Sequence, residues 1–180
     1  MKTSRTLFLL LVAGLLLPAC GWHAGLLAPG GARTVGVEIF ETDRQLLERN
    51  LEPIVSEAIT RALIDMVQTQ LAAPQNADLV RRGEILNYNR RSGARNKDNE
   101  LVETGLYVLL RASLVDRISG DVVVPAITRH GWSGYALTGD APQNEAQTRL
   151  RVIDYVARTL VLDLFTARIP VAEATPFDLD

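Results

Sequence analysis

Four basic residues within positions 90–97 form the one local excess of positive charge in an acidic chain. They are Arg90, Arg91, Arg95 and Lys97, with Arg81 and Arg82 about one strand length earlier. The planar fork of an arginine matches phosphate oxygens, so this cluster can bind a lipid phosphate or the polar wall of a barrel. The alternative, which the residues alone favour, is a solvated loop whose charges keep a sheet edge from aggregating.

Two histidines, His23 and His130, are the other candidates for chemistry, and neither belongs to a recognisable catalytic motif. His130 lies beside Arg129 and Gly131, and no nearby serine or acid completes a nucleophile motif, although distant residues can still supply a triad. The sequence contains no His-x-x-x-His, paired cysteines, calcium loop or glycine-rich phosphate loop. We therefore expect no enzyme, no catalytic residue, no metal and no cofactor. A hydrolase that uses His130 is the competing hypothesis.

Residues 1–19 have the organisation of a secretory signal. Lys2 and Arg5 form a basic segment, an apolar run covers Leu7 to Leu17, and Ala19 precedes the only cysteine. The run is about eleven residues long, whereas a helix needs roughly twenty to cross a bilayer. The sequence therefore predicts export rather than a permanent membrane span.

Cys20 is predicted to carry lipid. The apolar positions before Ala19 and Cys20 resemble the bacterial lipobox, in which the processing enzyme cuts before a cysteine that becomes the lipid-modified N-terminus. A lone cysteine cannot form an internal disulfide, which favours this use, and several acyl chains form a stable anchor. Gly21 is not aspartate, so the enteric sorting rule implies the outer membrane. The alternative is an ordinary signal peptide with Cys20 as a free thiol.

Composition predicts one domain with an aliphatic core. Loss of Lys2 and Arg5 with the signal leaves 17 basic and 21 acidic side chains, a formal charge of −4. This balance argues against a nucleic-acid-binding protein. We expect a lipidated N-terminus and linker over 20–33, one domain over 34–169 and a mobile acidic tail over 170–180.

The spacing of apolar residues predicts the element order β-α-β-β-β-α. Alternation places strands near 34–40, 77–90, 106–117 and 122–135, and stripes of helical spacing place helices near 51–71 and 140–169. Gly83 indicates a bulge or a close backbone contact in the second strand. Thr42 or Asp43 can cap the first helix, and Pro53 lies either in its first turn or at a kink.

These elements predict an α+β fold, a two-layer sandwich with a mostly antiparallel four-stranded sheet and two helices packed on one face. Strands joined by hairpins cannot form an all-parallel sheet, and two helices with single apolar stripes need one apolar surface to cover. The opposite face is then open to solvent or a partner. One of two alternating sets in the third strand lies on this face. It is either the set Tyr107, Leu109, Arg111, Ser113 and Val115 or the set of residues that alternate with them.

The chain from Cys20 to about Ile169 resembles a divergent member of the LPS-assembly lipoprotein family (LptE-like). The motifs that carry the resemblance, in order, are Cys20-Gly21-Trp22, Val35-Gly36-Val37-Glu38-Ile39-Phe40, Leu51-Glu52-Pro53-Ile54, Ala77-Asp78-Leu79-Val80, Gly83-Glu84-Ile85, and Val115-Asp116-Arg117 with Ser119-Gly120. Glu41-Thr42 stands where the family usually has asparagine after the phenylalanine.

The resemblance implies a function without catalysis. A family member is anchored by lipid on the periplasmic side of the outer membrane, plugs a large β-barrel translocon, assists its assembly and helps to deliver lipopolysaccharide to the cell surface. The implied partners are this barrel, lipopolysaccharide and the membrane, and the implied contact residues are Arg90, Arg91, Arg95 and Lys97. The alternative is an unrelated outer-membrane lipoprotein adaptor that binds envelope polysaccharide or another envelope protein.

Overall fold

The computed structural model describes residues 25–42, 50–138 and 140–167. The predicted signal, Cys20, the first residues of the linker and the acidic tail lie outside the described residues. The elements, in chain order, are β1 (Thr34–Val37), β2 (Glu41–Thr42), α1 (Leu51–Met66), β3 (Gln70–Ala72), β4 (Leu79–Ser92), β5 (Glu103–Asp116), β6 (Val122–Ala136) and α2 (Ala141–Thr166).

The predicted α+β class is confirmed, but the sheet is mixed and has six strands instead of four. Its order is β3-β1-β4-β5-β6, and β2 also pairs with β4. The β4, β5 and β6 strands form an antiparallel meander, whereas β1 runs parallel to both β3 and β4. The two extra strands contain only two and three residues, too few for an alternating pattern to be recognised.

The first helix begins as predicted but ends earlier. It starts at Leu51, which places Pro53 in its first turn, where the missing N–H needs no partner. The predicted cap Thr42 is wrong, because Thr42 lies in β2 and the residue before the helix is Asn50 in the left-handed conformation (φ 65°). Asp43, the other predicted cap, lies outside the described residues. The helix stops at Met66 because the chain turns extended and Leu71 joins β3.

Both helices cover one face of the sheet. In β5 the alternate residues from Leu106 to Leu114 are buried in an aliphatic core. Gly131 of β6 allows α2 to approach closely, because a Cβ atom there would lie 2.5 Å from Cγ2 of Val156. Asp140 caps this helix by accepting a hydrogen bond from the backbone N–H of Gln143 at 3.2 Å. Within the described ranges, neither helix is long and apolar enough to cross a bilayer.

Candidate functional site

The face of the sheet opposite the helices is the candidate binding face. Tyr107, Leu109, Arg111 and Ser113 lie on it, because the other alternating set in β5 packs against the helices. Val115, the last member of the predicted set, is buried. The register across β4, β5 and β6 defines rows of neighbours on this face: Asn89 with Tyr107 and Trp132, Asn87 with Leu109 and His130, and Glu84 with Arg111 and Thr128.

One half of this face carries an aromatic patch, which consists of Arg91, Tyr107, His130 and Trp132. The Tyr107 and His130 rings stack with centroids 5.8 Å apart, and Cζ of Arg91 lies 4.3 Å from the centroid of the Tyr107 ring. The Trp132 ring lies over Gly105, where a Cβ atom would be only 2.6 Å from Cε2 of the indole. Trp132 nevertheless stays 53% exposed. The patch therefore presents flat π-surfaces and one cation to the outside.

The other half of the face carries matched charges. Nε of Arg82 lies 3.3 Å from a carboxylate oxygen of Glu38, and Nη2 of Arg111 lies 2.6 Å from one of Glu84. Glu38, Arg82 and Glu84 border a cleft of about 370 Å³ between β4 and the chain that joins β1 to β2. Exposed pairs of this kind contribute about 0–1 kcal/mol each. Among the described residues, no acidic side chain pairs with Arg91, so the unmatched charge lies in the aromatic patch.

Arg90 and Arg91 point to opposite faces because they are consecutive residues of β4. Arg90 lies on the helix side, where its Nη2 donates to Oε1 of Glu145 at 2.5 Å, and the Tyr135 hydroxyl donates to Oε2 at 2.9 Å. Partial burial acts to raise the pKa of Glu145, but these hydrogen bonds outweigh it and hold the pKa below its usual value. Arg90 therefore joins the sheet to α2.

Arg95 and Lys97 lie in the loop between β4 and β5. Nη1 of Arg95 donates to the backbone carbonyl of Asn99 at 2.6 Å, which holds the side chain against its own turn. Lys97 is exposed, and the loop also contains Asp98 and Glu100. The four predicted contact residues therefore do not assemble into one patch: Arg91 is on the open face, Arg90 on the helix side, and the other two on a loop with balanced charge.

Arg81, which the sequence placed among the basic residues, lies in the core with no exposed surface. Its Cζ lies 4.1 Å from the centroid of the Phe40 ring, and its Nη2 donates to the backbone carbonyl of Glu38. Nε and Nη1 have no hydrogen-bond partner. Burial lowers the pKa of Arg81 to about 9, although the charge of Glu38 opposes this effect.

His130 lies on the edge strand, and the hydrogen bonds found among the described residues include none to its ring. No group of three or more histidine, cysteine or acidic residues is placed to hold a metal ion in the described ranges. Sequence reasoning missed Trp132 as a partner of Tyr107. The alternation of β6 could have predicted this contact, because Trp132 and His130 are two residues apart and therefore lie on the same face of the strand.

Comparison with known proteins identifies the fold. No protein-family model matches the sequence, and neither does any curated protein. The crystal structure of a minor lipoprotein from Acinetobacter baumannii superposes with a TM-score of 0.53 and 18% identity, over 77% of this chain and 96% of that one. A PelC dodecamer from Paraburkholderia phytofirmans, solved as a point variant, gives 0.50 and 20% identity, over 79% and 93%. At these identities the likeness is one of fold.

Proposed function

We propose that this chain is an outer-membrane lipoprotein, anchored through Cys20 on the periplasmic side, that plugs and helps to assemble a β-barrel translocon for lipopolysaccharide. The observation that carries the proposal is the aromatic patch on the open sheet face, in which no described acidic side chain pairs with Arg91. The proposed function requires no catalytic step from this chain.

The patch has the chemistry to hold a phosphorylated glycolipid. The guanidinium of Arg91 can donate two parallel hydrogen bonds to a phosphate, while the exposed ring of Trp132 offers a flat surface for a sugar ring. The matched charges on the other half of the face suit the polar interior of a large barrel, which is lined by polar side chains.

The anchor rests on the sequence. Residues 1–19 followed by Cys20 resemble a lipoprotein signal, and the Acinetobacter protein of the same fold is named a lipoprotein. Tethering supports the proposed role, because a plug held at the membrane has a high effective concentration beside its barrel.

The test is affinity purification of the tagged lipoprotein from detergent-solubilised membranes. We expect one large β-barrel protein and lipopolysaccharide to copurify with the wild-type chain. Arg91→Ala is expected to reduce the bound lipopolysaccharide about tenfold, because a charge-assisted hydrogen bond contributes about 1.5–3 kcal/mol. Lys97→Ala, which removes an exposed cation from the loop, is the matched control. Recovery of no barrel with the wild-type protein would sink the proposal.

A second candidate function is an adaptor that binds a neutral envelope polysaccharide. It is favoured by the amides of Asn87 and Asn89, which lie in the same rows as His130 and Trp132 and can bond sugar hydroxyls. In this case binding would be lost in Trp132→Ala and unaffected by Arg91→Ala, and no barrel would copurify.

A further inference from the structure

The outer edge of β6 is open. This strand is the last in the sheet order, and no described strand lies beyond it. Its pairing with β5 is regular from Ile127 to Ala136, and the irregular part lies around Pro125. Ten residues at about 3.4 Å each give a straight edge of roughly 34 Å. An edge of this length exposes a row of backbone groups that another strand can pair with.

This edge lacks the charges that usually prevent pairing. Arg129 is the only acidic, lysine or arginine residue from Ile127 to Ala136. Its guanidinium forms an ion pair with Asp163 of α2 and donates to the carbonyl of Thr128. The one cation is therefore held against its own helix, and no lysine or glutamate protects the strand.

An uncharged strip of α2 runs beside the same edge. It consists of Tyr155, Thr159, Leu162 and Thr166, at the 4-3-4 spacing of a seam between packed helices. Cδ1 of Tyr155 lies 3.3 Å from the Cβ position of Gly131, which places the start of the strip against β6. Tyr155 is 60% exposed and Leu162 is 43% exposed.

We propose that two copies of this chain associate through their β6 edges, antiparallel about a twofold axis, with the two uncharged strips in contact. An isologous interface brings the same surface patch of both copies together, and the lack of net charge on this patch avoids repulsion between them. Since α2 contacts both β5 and β6, strands about 4.8 Å apart would place the two α2 axes roughly 10 Å apart. Packed helices lie about 8–10 Å apart, so sheet and helix contacts form together.

This association is independent of the proposed function, and it is tested by the molar mass of the full-length protein in detergent. Light scattering at a large excess of micelles over protein should show a dimer that dissociates on dilution. Tyr155→Lys introduces a charge into each copy of the strip and is expected to raise the dimer dissociation constant about tenfold per copy, or about a hundredfold. Leu150→Lys is the matched control, because Leu150 lies on the same helix, is also 60% exposed and is not part of the strip.

Amide hydrogen exchange locates the interface. At concentrations that favour the dimer, alternate amides of Ile127–Ala136 should exchange at least about tenfold more slowly than in the dilute monomer. The proposal is overturned if the wild-type protein is monomeric at all concentrations. That result is expected if the edge instead pairs with a strand of a different protein. Dimers that show unchanged exchange in β6, or that tolerate Tyr155→Lys as well as Leu150→Lys, would also overturn it.

Discussion

Replacing the buried Arg81 with methionine should stabilise the protein. The guanidinium has no exposed surface, and two of its nitrogens, Nε and Nη1, lack a hydrogen-bond partner. Methionine is flexible, unbranched and apolar, so it can follow the path of the arginine side chain beside Phe40 without leaving an unpaired donor. Only the bond to the Glu38 carbonyl and the contact of the cation with the Phe40 ring are lost.

The expected gain follows from these contacts. Each unpaired buried donor costs about 1–3 kcal/mol, and the lost hydrogen bond, whose donor is charged, contributes about 1.5–3 kcal/mol. The contact between the cation and the Phe40 ring contributes about 1–2 kcal/mol in a desolvated site. These contributions nearly cancel, and removal of the desolvation cost of the buried charge favours Arg81→Met by about 1–2 kcal/mol in the free energy of unfolding. For a chain of this size that corresponds to roughly 2–8 °C in the melting temperature.

Urea titration followed by circular dichroism measures this difference, and pH supplies a second readout. Because the folded-state pKa of Arg81 is lowered to about 9, the unfolded chain binds more protons at this site above that pH. The stability of the wild-type protein should therefore rise relative to that of Arg81→Met as the pH passes through about 9.

The control is Arg82→Met, which removes a neighbouring arginine whose side chain is 62% exposed. It should change the free energy of unfolding by less than about 1 kcal/mol. If Arg81→Met destabilises the protein by more than the control does, the buried cation has a compensating partner and the reasoning is refuted.

Two further predictions concern other packing contacts and use the same titration. Asp78 accepts hydrogen bonds from two backbone amides at the start of β1, which lowers its pKa. Asp78→Asn should therefore be less stable than the wild-type protein at neutral pH, and this difference in the free energy of unfolding should shrink as the pH falls below about 3.8. Asp98→Asn, in an exposed loop, should show no such change. Gly131→Ala should destabilise the protein by about 1–3 kcal/mol, because the Cβ atom of the alanine would lie 2.5 Å from Cγ2 of Val156. An unchanged midpoint of urea unfolding would mean that α2 can shift at little cost.

Alternation and helical spacing predicted the long elements because each buries one face. The predicted strand near 106–117 is β5 (Glu103–Asp116). The pattern could not assign the faces of β5, since Leu109 on the open face is as apolar as the residues that pack against the helices, and Val115 is itself buried. It also could not predict the parallel pairing of β1, which depends on contacts between distant parts of the chain.

The candidate site was harder to predict from the sequence, because charge alone does not say which way a side chain points. Because side chains alternate along β4, Arg90 lies on the helix side of the sheet and Arg91 lies on the open face. Gly83 shows the limit most clearly. The sequence predicts a close contact there, and a Cβ atom would lie 2.5 Å from Phe40 and 2.6 Å from Nη1 of Arg81. The sequence pattern does not predict that Arg81 is buried.

The position of β1 within the sheet determines how the fold responds to mechanical load. A pull along β1 from the amino-terminal side acts on a strand hydrogen-bonded to β3 on one edge and to β4 on the other. Both ladders must then be sheared at once, whereas a pull that peels β6 from the sheet breaks its single ladder one pair at a time. The fold therefore resists a pull on its amino terminus better than a pull that peels β6 from the sheet.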